Sequence, residues 1–238
     1  MLPRSRQEIL DRVGEHQRVL DIGGWADPFW RADWVMDLQP YATRGLYERK
    51  GWIATRDEPP ERFTADTWVQ RDVCDHEPYP FADDSFDFVV CSHTLEDVRD
   101  PLRVCSEMIR VGKAGYIEVP SRLEEQSWGV VGEFVGWGHH RWLIDVEPGS
   151  IAFTQKLHSL HAEPDHYLPA GFAAALPDAA RVQSLWWEGD FSYGEFILHD
   201  DEENRAYLRP LVERGLAEHP RPETRRRRLS RRPRRAGS

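Results

Sequence analysis

The chain has 238 residues, 40% hydrophobic and 30% charged, a globular composition with enough length to bury about 70% of the surface exposed by its unfolded state. No apolar run approaches the length of a membrane span, Met1-Leu2-Pro3-Arg4 lacks the apolar core of a secretory signal, and Cys74, Cys91 and Cys105 form no CxxC pair; integral membrane proteins, disulfide frameworks and cysteine zinc sites are excluded, and a cytoplasmic location is expected. The net charge of −10 divides into +8 on residues 221–238, with nine Arg and one Glu, and −18 on the rest, so the body repels nucleic acid and only the Arg-rich tail, read as a disordered end, is a candidate contact.

Taken in chain order, Ser5-Arg6-Gln7-Glu8 has the form of a capping box. Ile9, Leu10 and Val13 then line one helical face, and Gly14 is the stop. Arg18 to Gly24 reads as a short apolar strand ending in an acid and two glycines, and Asp33 to Asp37 as a second strand ending in an acid. Residues 51–63 are polar and contain prolines, as in a loop, before a third strand over Thr67–Val73. Phe86-Asp87-Phe88-Val89-Val90-Cys91-Ser92 is the clearest buried strand. Asp100 is placed to cap a helix with Pro101 at its first position; Leu102, Cys105, Met108 and Ile109 follow at helical spacing, and Gly112 closes it. Ala114–Val119 is a fifth strand.

Strands alternating with helices in this way predict an α/β fold around a mainly parallel sheet with helices on both faces. Residues 121–170 break the rhythm. They are rich in Trp, Gly and His and are read as an insertion, on the substrate side, over the carboxyl edge of the sheet. Tyr167–Leu176 is a possible helix, Arg181–Trp187 and Tyr193–Leu198 a closing antiparallel pair, and Asp200–Glu218 a final helix weakened by Pro210. The expected organisation is one domain over 1–198 including the insertion, a C-terminal helix over 199–220 and the tail over 221–238.

In a parallel sheet, ligands bind outside the carboxyl ends of the strands. Gly23 and Gly24 allow a tight turn where backbone amides approach a ligand. Asp37, sixteen residues after Asp21, is placed for an acid that accepts from both hydroxyls of a ribose. Asp72 can accept from an adenine amino group with Val73 beside the ring, and Ser92 ends the fourth strand facing the same crevice.

Pro80-Phe81-Ala82-Asp83-Asp84-Ser85-Phe86-Asp87-Phe88-Val89-Val90-Cys91-Ser92-His93-Thr94-Leu95-Glu96-Asp97-Val98, followed by Asp100-Pro101, resembles the central stretch of class I S-adenosylmethionine-dependent methyltransferases, of the type 11 kind. Val19-Leu20-Asp21-Ile22-Gly23 is similar to the first cofactor motif of that family, Asp37 to its ribose acid and Asp72 to its adenine contact. The resemblance covers roughly residues 17–120. It implies a Rossmann-like sheet of seven strands with the last antiparallel, S-adenosylmethionine as cofactor, and methyl transfer to oxygen or nitrogen of a small molecule. One departure stands out: the family's glycine loop reads D-x-G-x-G-x-G, and here Trp25 and Asp27 occupy its second and third glycine positions. That substitution keeps a second reading open, a catalytically silent nucleotide-binding or scaffold domain.

The insertion supplies the candidate chemistry of the acceptor. His139 and His140 are candidate general bases, since imidazole titrates near neutrality. Arg141, Trp142 and Arg122 are candidate substrate contacts, Ser121 a further orienting group, and Glu118, Glu124 and Glu125 second-choice bases. His158 and His161 form no HExxH helix and have no cysteine partners, so no metal is expected.

Overall fold

In the computed structural model, which describes residues 1–220, the strands of the central sheet are the apolar runs of the sequence, and their alternation divides the core. Leu20, Ile22, Val89, Cys91, Ile117 and Val119 face one side of the sheet, and Val19, Val35, Phe88, Val90 and Tyr116 face the other. Burial of both faces makes these strands continuous rather than alternating in hydropathy.

The elements in order are α1 (Pro3–Arg12), β1 (Val19–Ile22), β2 (Trp34–Asp37), α2 (Leu46–Arg49), β3 (Trp68–Gln70), β4 (Phe88–Ser92), α3 (Pro101–Val111), β5 (Ala114–Pro120), α4 (Arg122–Glu125), β6 (Trp142–Glu147), β7 (Ser150–Gln155), α5 (Phe172–Ala175), α6 (Asp178–Arg181), β8 (Val182–Glu188), β9 (Ser192–Glu195) and α7 (Asp201–Glu218). The main sheet runs β3-β2-β1-β4-β5-β8. Its first five members are parallel, and β8 lies antiparallel to β5 from Ala114↔Glu188 to Pro120↔Val182.

Helix α3 forms as expected: Asp100 accepts the Arg103 N–H at 3.0 Å, Pro101 starts the helix, and Val104, Cys105, Met108 and Val111 are buried against the sheet. Helix α1 covers the opposite face through Ile9, with Val13 just past its end. Its start differs from the expected capping box. Pro3 is the first helical residue, Leu2 the uncapped N-cap, and Ser5 lies inside the helix, buried. The reason is tertiary: the Leu2 N–H donates to Glu118 Oε1, 2.8 Å away and 116 positions along the chain. The third strand is shorter than expected, so Asp72 and Val73 lie in the turn beyond it.

The sheet has six strands rather than seven. The expected closing pair does not form, because after the Gly189 turn the chain leaves the main sheet and β9 pairs in parallel with β7, Ser150↔Ser192 to Phe153↔Glu195. Strand β7 is also the antiparallel partner of β6, which makes a second sheet of order β6-β7-β9. Trp142, Ile144, Ile151 and Phe153 of that sheet, together with Phe191, join the same core as α3. Of Tyr167–Leu176 only the single turn α5 is helical. Helix α7 runs unbroken through Pro210, which is exposed, and buries Leu208, Leu211, Val212 and Gly215. No helix among the described residues is long and apolar enough to cross a membrane. The expected Arg-rich tail, residues 221–238, lies outside the described residues.

Candidate functional site

Strands β1 and β4 are neighbours at the point where the strand order reverses, which is where a parallel sheet opens a crevice above its carboxyl ends. The glycine bend after β1 lies there. Gly23 has φ +77°, and the space a Cβ would need is filled by the Thr94 side chain, whose Cβ is 2.7 Å from that position. At Gly24 the same space holds the Asp21 carboxylate, with Cγ at 2.7 Å. Both glycines therefore let the chain close on itself. Asp21, 3% exposed, accepts the Phe29 N–H at 2.8 Å; burial dominates and pushes its pKa up to about 7. Trp25 packs toward the core beneath α1, and its Nε1 donates to Thr43 Oγ1 at 3.0 Å.

Asp37, at the end of β2, accepts the Gln39 N–H on Oδ1 at 2.8 Å and the Trp25 N–H on Oδ2 at 3.0 Å. Burial nonetheless raises its pKa above the usual carboxylate value. A carboxylate offers about four lone-pair sites, so acceptor capacity remains. Leu38 beside it is 58% exposed, an apolar surface that the sequence reading did not single out. Asp72 is paired with Arg99 and accepts the Cys74 N–H at 2.8 Å, while Val73 is buried in the core. The Ser92 hydroxyl, at the end of β4, is buried with no hydrogen-bond partner among the described residues. An unsatisfied Ser92 Oγ, a carboxylate with spare acceptor sites at Asp37 and the exposed Leu38 are compatible with an adenosyl ligand over this edge.

A cavity of about 400 Å³ opens beside the bend. Asp27 of the glycine loop, Tyr47, Trp52 and Arg56 form one side; His93, Glu96 and Asp97, following β4, form its floor. Glu124, Trp137, His139, His140 and Arg181 complete it from the segments after β5. Asp27 pairs with Arg56 at 2.5 and 3.1 Å, and although burial opposes it, that pairing lowers the Asp27 pKa. Glu124 accepts two hydrogen bonds from Arg181, at 2.8 and 3.0 Å, and one from Trp137 Nε1 at 3.0 Å. Asp27 stood out in sequence only as a departure from the glycine loop, and nothing there distinguishes Arg56 and Arg181 from surface charges. Glu96 and Asp97 belong to the Pro80–Val98 stretch that carries the resemblance.

His139 and His140 reach this cavity. His140 Nδ1 donates to the buried Glu125 at 2.6 Å, and Lys156 Nζ donates to the other Glu125 oxygen at 2.8 Å. Burial would lower the His140 pKa, but the Glu125 hydrogen bond outweighs it and the pKa rises. Arg122, Arg141 and Trp142 are not in the cavity lining. Arg122 is 7% exposed and donates to both Asp145 oxygens at 2.9 and 2.8 Å. Trp142 is buried with Nε1 donating to Val98 O at 2.8 Å, and Arg141 is exposed. The Ser121 hydroxyl caps α4 and donates to Ala180 O at 2.7 Å. His161 accepts the Val135 N–H at 3.2 Å, a structural contact.

His93 is held at φ +51° with Nδ1 3.3 Å from Glu96 and Nε2 3.3 Å from Glu118. Burial opposes its charge, yet the hydrogen bonds to Glu118 and Glu96 prevail and raise its pKa to about 9. In Glu118, burial is likewise outweighed by His93, and its pKa falls to about 2. The raised His93 pKa contributes stability that is complete below its unfolded value near 6.5 and is lost as pH rises through about 9. The difference in thermal midpoint between wild type and His93→Gln should therefore be constant below about pH 6.5, shrink between about 6.5 and 9, and level off above. A difference independent of pH would show that His93 is not the titrating group.

Residues 53–117 match the model of a protein family described as methyltransferase domain, a span that holds β3, β4, α3 and the Pro80–Pro101 stretch on which the resemblance rests. No curated protein matches the chain. Among solved structures, an S-adenosylmethionine-dependent methyltransferase from Aquifex aeolicus aligns at 16% identity over 49% of this chain and 64% of its own, with a TM-score of 0.34. Another, from Mesorhizobium loti, aligns at 15% identity over 63% of this chain and 62% of its own, with a TM-score of 0.35. The chain thus spans less than two thirds of the length of these structures.

Proposed function

We infer that this chain is an S-adenosylmethionine-dependent methyltransferase acting on oxygen or nitrogen of a small-molecule acceptor. The observation that carries the reading is the family match over residues 53–117, whose strand and helix ends bear Ser92 and the cavity residues His93, Glu96 and Asp97 at the reversal of strand order. On this reading Asp37 receives the ribose hydroxyls, Leu38 and the Asp72–Val73 turn flank the adenine, and Asp21, Gly23, Gly24 and Ser92 border the methionine end. S-adenosylmethionine supplies an electrophilic methyl group on a sulfonium sulfur. The acceptor lies in the adjoining cavity against Tyr47, Trp52 and Trp137.

The protein's main contribution is alignment, since orientation of two reactants accounts for about 7–11 kcal/mol of a barrier. His139 and His140 take the acceptor proton as the nucleophile attacks, a contribution of about 10²–10⁴-fold. Glu125 fixes the tautomer of His140, leaving Nε2 for the cavity.

A second reading has its own support. With Trp25 in place of a loop glycine and its N–H bonded to Asp37, the edge is also that of a scaffold domain that binds no cofactor. Asp37→Ala separates them. Loss of hydrogen bonds to a charged acceptor corresponds to about 10- to 100-fold in affinity, so equilibrium binding of S-adenosylmethionine should weaken by that factor, less so in Asp37→Asn. Equal affinity in wild type and both variants would remove Asp37 from the site.

A further inference from the structure

We propose that Asp97, His139 and His140 hold a divalent transition-metal ion at the mouth of the acceptor cavity. One oxygen of Asp97 and one ring nitrogen of each histidine lie within 4.8 Å of one another. Asp97 Oδ1 is 3.9 Å from His140 Nε2 and 4.0 Å from His139 Nε2. Bonds of about 2.0–2.2 Å place neighbouring ligand atoms about 3.3 Å apart in tetrahedral geometry, so the three atoms must draw in by less than 1–1.5 Å. The side chains that would move are exposed, His139 by 64% and Asp97 by 43%, whereas His140 is 7% exposed.

The surroundings of His140 are those of a metal-ligating imidazole. Its Nδ1 donates 2.6 Å to Glu125, which is itself buried and anchored by Lys156. A carboxylate on the far nitrogen fixes the tautomer and turns Nε2 outward, as outer-sphere partners of ligating histidines do. The neighbouring Glu96 lines the same cavity, is 1% exposed and has one oxygen, Oε2, without a hydrogen-bond partner among the described residues. That second feature is independent of the triad, and it leaves uncompensated acceptor capacity beside it. Two imidazoles and one carboxylate select zinc, cobalt or iron over magnesium or calcium, whose sites are built of oxygen.

Three protein ligands leave coordination positions that face the cavity, where an ion would take an oxygen of the acceptor. The inference thereby deepens the methyltransferase reading and narrows the acceptor to molecules with a hydroxyl, carboxylate or phenolate oxygen that can bind a metal. With the ion bound, the two Nε2 atoms would be ligands rather than bases, and the acceptor would bind the ion as its oxyanion, its proton having passed to solvent.

Cobalt(II) tests this without cofactor or acceptor. Titration of the full chain should give one equivalent of bound ion, with visible d–d absorption and nitrogen ligation. Asp97→Asn, His139→Ala and His140→Ala should each weaken it at least tenfold, and Glu125→Gln by about 10–100-fold. Absence of stoichiometric binding, or affinity unchanged in Asp97→Asn and His139→Ala, whose side chains are exposed and whose loss leaves the core intact, would overturn the proposal. Cobalt binding with no affinity for S-adenosylmethionine would uphold the metal site and sink the methyltransferase reading; the converse result would do the reverse.

Discussion

Glu118→Ala should lower the thermal midpoint by about 10 °C. Glu118 is fully buried on β5, and its partners include the Leu2 N–H at 2.8 Å, the Tyr116 hydroxyl at 2.7 Å, His93 Nε2 at 3.3 Å and the N-terminal ammonium at 3.8 Å. Removing Glu118 takes a counter-charge from His93, which is 31% exposed, and leaves the Leu2 N–H and Tyr116 hydroxyl without this acceptor, together about 3–5 kcal/mol. A domain of this size loses about 2–4 °C per kcal/mol. The loss also reaches the start of α1, whose N-cap has no side chain of its own to cap it. Glu118→Gln keeps one oxygen for Leu2 and should cost less, while His93, deprived of its main counter-charge, should titrate well below 9 by NMR. A midpoint within a degree or two of wild type for Glu118→Ala would show that the pair contributes little net stability.

Gly23→Ala is the second large effect. The substitution puts a side chain at φ +77° and drives its Cβ into Thr94. A left-handed alanine costs about 1–2 kcal/mol and overpacking a further 1–3, together roughly 3 kcal/mol and an expected drop of several degrees in melting temperature. Thr94→Ala in the same chain removes the overlap with Oγ1 and Cγ2 but leaves the Cβ contact at 2.7 Å and the backbone strain. The double variant should recover part of the loss and never all of it. Full recovery would mean that the strain at Gly23 is negligible; no loss in the single variant would mean that the bend yields. The geometry gives these glycines a role the sequence reading did not foresee: they admit Thr94 and the Asp21 carboxylate.

The elements legible in the sequence were those whose determinants are local. Strands β1, β2, β4 and β5 are apolar runs, and α3 is delimited by Asp100, Pro101 and Gly112. What failed was set at long range. The Ser5 capping box is displaced because a buried acid 116 positions from Leu2 anchors the helix start. Strand β9 joins β7 because the free edge of the β6–β7 hairpin accepts it, and no pattern within Ser192–Glu195 announces a partner some forty residues earlier. The site divides in the same way. Asp37, Ser92, His139 and His140 could be named from motif and composition, whereas Asp27 with Arg56 and Glu124 with Arg181 become recognisable only as pairs across a cavity. Arg122 and Trp142, expected as substrate contacts, are engaged by Asp145 and Val98 respectively and lie outside the cavity lining.

The claim on which the account depends is that the edge bearing Asp37 and Ser92 takes an adenosyl cofactor beside the acceptor cavity. Calorimetric titration of the full chain with S-adenosylmethionine tests it most directly. The account predicts one equivalent bound, a raised thermal midpoint at saturation, and affinity that falls in Asp37→Ala. No heat and no thermal shift at ligand up to about 1 mM, a limit of roughly 4 kcal/mol of binding free energy, would contradict it and favour the scaffold.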